Sequence, residues 1–264
     1  MNIRELFDDM WALYVRINPS VNKVRKLMEQ HEGGPVKNDH IAIRTFNHPR
    51  VNREVLAKSF LDSGYKPVED LKFEKKKLDA TYYLHDDDDL TRVFISELKL
   101  EEFSPELQET INQLINQIPN KAIEQFDFCN SGTPWNPITK ETYDFLKEES
   151  EYAAWVATFG FIVNHFTISV TDCNSFENLE QVNSFLKENG YRINDSGGEI
   201  KGSVEQGLEQ SSILAEDIIV EFDSLEYEPH DIPGCYYEFA LRHNNFDGFI
   251  AGSADKIFES TDNK

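Results

Sequence analysis

The 264-residue chain carries 48 acidic against 26 basic side chains, a formal charge of −22, and 39% of its residues are hydrophobic, enough to fill the core of one large domain or two fused halves. The acidic excess repels nucleic-acid backbones and anionic lipid surfaces, and no apolar run approaches the roughly 20 residues of a membrane span. The start, MNIRELFDDMWALYVRI, lacks the basic-then-apolar pattern of a secretory signal, and Cys129, Cys173 and Cys235 form no CxxC pair, so the expectation is a cytoplasmic globular protein with reduced thiols and neither a nucleic-acid nor a membrane partner.

In chain order, Ile3, Leu6, Phe7, Met10, Leu13, Tyr14 and Ile17 recur at helical spacing, and a second short helix is expected over 21–30 before the Gly33-Gly34-Pro35 break. These form an N-terminal covering segment, residues 1–36. From His40 the pattern changes to alternation, with His40, Ala42, Arg44 and Phe46 on one face and Ile41, Ile43 and Thr45 on the other. A helix over 52–63 closed by Gly64 follows, then strands over 77–84 and 91–98 around the solvated turn HDDDD. Residues 37–100 therefore read as a βαβββ unit.

Ser104-Pro105-Glu106 opens a helix whose apolar stripe is Leu107, Ile111, Leu114, Ile115 and Ile118. The loop chemistry of SGTPWNP and a further helix over 140–154 complete a helical insertion, residues 101–157. Residues 158–264 then repeat the first unit, with a C-terminal tail. A strand over 161–170 carries His165, a helix over 175–189 ends at Gly190, and strands are expected near 191–194, 209–214, 218–222 and 236–242. FLDSGY after the first histidine strand and FLKENGY after the second mark a duplication. The predicted fold class is α+β: two βαβββ-type units forming a curled mixed or antiparallel sheet around a metal cavity, with added covering helices.

A lone histidine in mid-strand reads first as a hydrogen-bonded core residue. Paired across a pseudo-twofold axis, His40 and His165 would instead face one cavity, as ligands for Zn, Fe, Ni or Cu. The third ligand is expected to be a carboxylate on an inward strand face. Glu238 leads, because in CYYEFALR it lies between aromatic residues where an unpaired charge is costly. Glu97 in VFISEL is its competitor, and an ordinary salt bridge is the alternative for either. Two histidines and a carboxylate favour Fe(II), although zinc hydrolases use the same donors.

Arg44 follows His40 by four residues and Arg242 follows Glu238 by four, so alternation puts each arginine on its ligand's face. Either could grip a substrate carboxylate or pair with one of the many acidic side chains. Ser211 and Ser212 in EQSSILA are candidate substrate contacts or ordinary strand-edge serines, and the preceding SGGEIKGSVEQG reads as a lid or bulge.

Together NDHIAIRTF, FISEL, EQSSILA and YYEFALR, in that order between His40 and Arg242, resemble the 2-oxoadipate dioxygenase/decarboxylase family, related to the vicinal oxygen chelate superfamily. The resemblance implies an Fe(II) enzyme with His40, His165 and Glu238 on the metal, Arg44 on a substrate carboxylate, and Ser211 or Ser212 as a neighbouring substrate contact. The implied partners are a 2-oxo dicarboxylic acid and O2, the implied reaction conversion of 2-oxoadipate and O2 to 2-hydroxyglutarate and CO2, within lysine degradation. The competing expectations are a Zn- or Ni-dependent hydrolase or isomerase acting on a small carboxylate, and a non-catalytic small-ligand binding module.

Overall fold

The computed structural model describes residues 1–223, 229–252 and 256. In chain order its principal elements are α1 (Ile3–Ile17), α2 (Pro19–Glu32), β1 (Asn38–Phe46), α3 (Arg53–Asp62), β2 (Lys66–Phe73), β3 (Leu78–Leu84), β4 (Arg92–Leu98), α4 (Pro105–Asn116), α5 (Asn120–Ile123), α6 (Lys140–Glu149), α7 (Glu151–Phe159), β5 (Val163–Ser169), α8 (Leu179–Glu188), β6 (Lys201–Ser203), β7 (Leu208–Ser212), β8 (Asp217–Glu221), β9 (Pro229–Pro233) and β10 (Tyr236–Arg242). This is the expected α+β class. Among the described residues no helix is long and apolar enough to cross a membrane.

Two compact units interleave along the chain. The first takes Met1–Tyr14, Ala42–Val163 and the described part of Ile219–Ile232; the second takes Val15–Ile41, Asn164–Ile218 and the described part of Pro233–Lys264. Strand β1 serves both, its first half in the second unit and its second half in the first.

Within the first unit the hydrogen-bonded order is β2-β3-β4-β1, and the βαβββ succession is present as β1, α3, β2, β3, β4, with β2 lying outside the strand ranges expected from sequence. The side chain of Asn52 accepts from the Val55 amide to start α3, and that of Ser104 accepts from the Leu107 amide to start α4, with Pro105 in its first turn. Helix α1 buries Leu6 and Met10 on one stripe. Entry into β5 depends on Gly160. A Cβ there would lie 2.0 Å from the Gly132 carbonyl oxygen, across the bridge that pairs Gly132 with Phe161, and its φ of 67° is one that L side chains rarely adopt.

Within the second unit the order is β1-β5-β10-β7-β6. Strands β5 and β10 are parallel, while β10 and β7, and β7 and β6, are antiparallel, so the sheet is mixed as expected. Helix α2 buries Val21, Val24 and Met28 and packs on β10, and α8 buries Leu179, Val182 and Leu186 against β7 and β10. The Asn18 side chain accepts from the Cys235 amide at 2.7 Å and fixes the entry to β10. A Cβ at Gly234 would meet that same oxygen at 2.2 Å, so any larger residue there would have to displace the Asn18 side chain from this bond.

Residues 158–264 depart from the expected strands in three places. Residues 191–194 make only an isolated bridge, Ile193 with Ile213. The glycine-rich stretch expected to be a lid or bulge contains β6 and a turn that returns to β7. The strand expected over 218–222 exists as β8, but it pairs with β9 as a separate two-stranded sheet. Of the expected C-terminal tail, 253–255 and 257–264 lie outside the described residues.

Candidate metal centre

The register of the second unit brings three donors together. Tyr236 pairs with His165 and Glu238 with Thr167 across β10 and β5, while Glu238 pairs with Ser212 across β10 and β7. Directly opposed residues share a face, so His165, Thr167, Glu238 and Ser212 present their side chains on one side of the sheet. His40 on β1 completes the group. One ligand atom from each of His40, His165 and Glu238 can be chosen so that all lie within 4.8 Å of one another. The three residues are 2%, 3% and 0% exposed.

The imidazoles meet edge to face, with ring centroids 5.6 Å apart and planes at 86°. His165 stacks on Tyr236 at 4.6 Å, and His40 meets Phe249 edge-on at 4.8 Å. Glu238 Oε2 is 3.2 Å from His165 Nε2, and Oε1 is 3.6 Å from His40 Nε2. Oε1 also accepts from Gln210 Nε2 at 2.5 Å, whereas Oε2 has no hydrogen-bond donor among the described residues. Burial pushes the Glu238 carboxyl above the usual carboxylate range, opposed by the charge of His40 and the hydrogen bond from Gln210.

Each histidine has an acceptor for its other nitrogen. Asp39 Oδ1 lies 2.7 Å from His40 Nδ1, and Asn164 Oδ1 lies 3.1 Å from His165 Nδ1. Acceptors at Nδ1 keep the proton there and point the Nε2 lone pair at the cluster, as a metal ligand requires. Burial alone would raise the Asp39 carboxyl, but the hydrogen bond from His40 and the charge of Arg242 outweigh it and hold it well below the usual range. Two imidazoles presented through Nε2 and a buried carboxylate with an undonated oxygen suit a divalent transition-metal ion, whose charge would offset the burial of Glu238.

The other sequence candidates separate. Arg242 makes a two-point ion pair with Asp39, Nε to Oδ2 at 2.7 Å and Nη2 to Oδ1 at 2.9 Å, so of its two expected roles the structure displays the ion pair. Ser211 pairs with Phe239 and thus faces away from Glu238, while Ser212 faces with it; both are fully buried. Glu97 belongs to the first unit, where it accepts from the Arg53 amide at 2.9 Å and lies 3.7 Å from the Arg53 guanidinium. Arg44, also in the first unit and 2% exposed, has its guanidinium 5.1 Å from the ring centroids of both Tyr152 and Trp155.

Asp39, Asn164 and the Gln210 contact to Glu238 were not anticipated from sequence. A signal for the first two was present: an Asp or Asn precedes each histidine at the equivalent place in the duplicated strands, NDH and VNH.

The profile of the 2-oxoadipate dioxygenase/decarboxylase family matches residues 6–245. The chloroplastic 2-oxoadipate dioxygenase/decarboxylase of Arabidopsis thaliana is 34% identical, over 98% of this chain and 77% of that protein. The crystal structure of the Oryza sativa hydroxyglutarate synthase in complex with 2-oxoadipate superposes with a TM-score of 0.90 at 32% identity, covering 98% of this chain and 92% of the rice chain. That of a Shewanella frigidimarina protein described as a candidate hydrolase has a TM-score of 0.88 at 46% identity, covering 95% and 98% of the two chains. With its profile spanning nearly the whole described chain and a buried donor cluster on the expected strands, the protein belongs to the 2-oxoadipate dioxygenase/decarboxylase family.

Proposed function

We propose that this protein is an Fe(II)-dependent enzyme that converts 2-oxoadipate and O2 to 2-hydroxyglutarate and CO2, with His40, His165 and Glu238 holding the metal. The observation that carries the reading is the buried His-His-Glu cluster, in a chain whose rice relative was crystallised with 2-oxoadipate. The reaction balances as written: the six-carbon oxo acid loses one carbon as CO2, both atoms of O2 enter the products, and no external reductant is consumed. Ferrous iron bound to these donors would supply Lewis acidity toward the oxo acid and electrons for O2 reduction.

The remaining work belongs to side chains. Asp39 and Asn164 keep protons on the outer nitrogens of the two histidines, and Gln210 holds one oxygen of Glu238. Burial of all three ligand side chains excludes bulk water from the reacting atoms. Arg44 is assigned to the far carboxylate of the substrate, with its planar guanidinium 5.1 Å from the ring centroids of Tyr152 and Trp155. Ser212, on the face of Glu238, is the nearer of the two serines to the chemistry. A place in lysine degradation follows from 2-oxoadipate as substrate.

The test is anaerobic loading with Fe(II), then a panel of 2-oxo acids with O2 uptake and CO2 release followed together. Equal uptake and release with 2-oxoadipate, and 2-hydroxyglutarate as product, is the expected result. Protein that retains zinc and releases no CO2 after Fe(II) and O2 are added would instead favour the metal-dependent hydrolase or isomerase reading.

A further inference from the structure

Asp39 and Arg242 are both nearly buried, with side chains 1% and 7% exposed. Replacing a buried ion pair of this kind by apolar residues of similar volume is often neutral or stabilising, so stability alone does not explain its presence. Its surroundings point elsewhere. The Asp39 oxygen that accepts from Arg242 Nη2 is the same one that faces His40 Nδ1. Arg242 is itself fixed by donating to the carbonyls of Phe246, at 3.2 Å, and Gly248, at 2.8 Å. Its guanidinium lies 5.3 Å from the centre of the Phe249 ring, which packs edge-on against His40. One cation thus sets the carboxylate behind the histidine and the aromatic ring beside it.

We propose that Asp39 is a positioning residue for His40 and that Arg242 holds Asp39 in that role, making the two histidines unequal ligands. With its proton retained on Nδ1, His40 Nε2 can accept from the Thr167 hydroxyl, 3.1 Å away, and can equally bind a cation. His165 has the same arrangement with a neutral acceptor, Asn164. A carboxylate acceptor makes an imidazole a stronger donor than an amide does, so His40 is the stronger ligand and the duplication has diverged at the residue behind each ring. The inference rests on the metal reading above, and the experiment separates the two.

Co(II) affinity is measured by chelator competition for the parent, H40A, D39A, D39N and D39L/R242M, and the 15N shifts of the His40 ring are recorded without metal. The double variant removes both charges and keeps apolar volume, so it tests the site even if D39A leaves Arg242 unpaired and fails to fold. Losing the acceptor is expected to weaken Co(II) binding by roughly 10–100-fold in D39L/R242M, and in D39A where it folds. D39N, which restores a neutral acceptor like Asn164, recovers much of that loss. The His40 shifts report an Nδ1-protonated ring in the parent and in D39N, and a mixed tautomer in D39L/R242M. If H40A binds Co(II) as the parent does, the metal reading falls and this inference with it. If H40A loses the metal while folded D39L/R242M binds like the parent with unchanged His40 shifts, the metal reading stands and the positioning role of Asp39 is overturned.

Discussion

Gln210 donates to one oxygen of Glu238 at 2.5 Å, and the other oxygen of that carboxylate faces His165 Nε2 at 3.2 Å. The two oxygens are therefore inequivalent in the folded protein, one committed to an amide and the other directed into the cluster. Replacing Gln210 by Leu should release the first oxygen and let the carboxylate rotate. Metal affinity is expected to fall roughly tenfold, with the melting temperature of the metal-free protein changed little. Chelator competition alongside a thermal scan measures both, and unchanged affinity would remove Gln210 from the site.

Glu238 and Glu97 were rivals for the third ligand, and the proposed assignment makes their variants behave oppositely. E238Q should lose tight metal binding and turnover together. E97Q should retain full metal stoichiometry and shift stability by about 1 kcal/mol, because the amide can still accept from the Arg53 backbone. Burial already pushes the Glu97 carboxyl upward, which makes the neutral replacement mild. Metal analysis of the two purified variants decides the matter, and a metal-free E97Q would reverse the assignment.

Arg44 should affect substrate and not metal. A lysine cannot reproduce the planar fork that lies beside Tyr152 and Trp155. R44K is therefore expected to lower kcat/KM for 2-oxoadipate by roughly 10–100-fold, the scale of a charge-assisted hydrogen bond, with metal content unchanged. Steady-state kinetics against the Fe(II)-loaded parent test this. Parental kinetics in R44K would take the guanidinium out of substrate recognition.

Glu32 gives a pH signature remote from the chemistry. Its carboxylate accepts from the Ser175 hydroxyl at 2.6 Å, the Asn174 amide at 2.7 Å, the Asn174 side chain at 2.8 Å and the Ser175 amide at 3.0 Å. Led by the Ser175 hydroxyl and the Asn174 amide, these bonds lower its pKa from 4.5 to about 2. A depressed folded-state pKa means that the stabilisation is complete above the unfolded value and is lost as pH falls from 4.5 toward 2. The melting temperature of the parent should exceed that of E32Q near neutral pH, and the gap should narrow steadily once the pH drops below that upper value. A gap independent of pH would show that the carboxylate charge contributes nothing.

Sequence pattern recovered what depends on periodicity. The histidine strands, the helices after them and the strand of Glu238 all alternate or repeat strongly enough to be placed before the fold is seen. Strand β2 was not located, because its run KPVEDLKF is mostly exposed and gives little apolar alternation. Strand β6 is three residues long and lies between glycines with positive φ, so local chemistry reads as a loop while pairing with β7 makes it a strand. The partner of Arg242 could not be read either. Its choice of Asp39 spans 203 positions in sequence, and nothing local separates that from a grip on substrate. Ser211 and Ser212 show the opposite case, since adjacent strand residues face opposite sides, and the register with β10 tells which one shares the face of Glu238.

The pairing of Asp39 with Arg242 also fixes the charge carried by the cluster. Those two charges cancel, the imidazoles are neutral as ligands, and Glu238 contributes a single negative charge to whatever it binds. On the proposed reading a divalent ion leaves the assembly with one positive charge in excess, which the nearer carboxylate of an oxo acid would cancel. On that reading the cluster would suit a monoanionic head group, and an uncharged carbonyl compound of the same shape would leave a buried charge uncompensated.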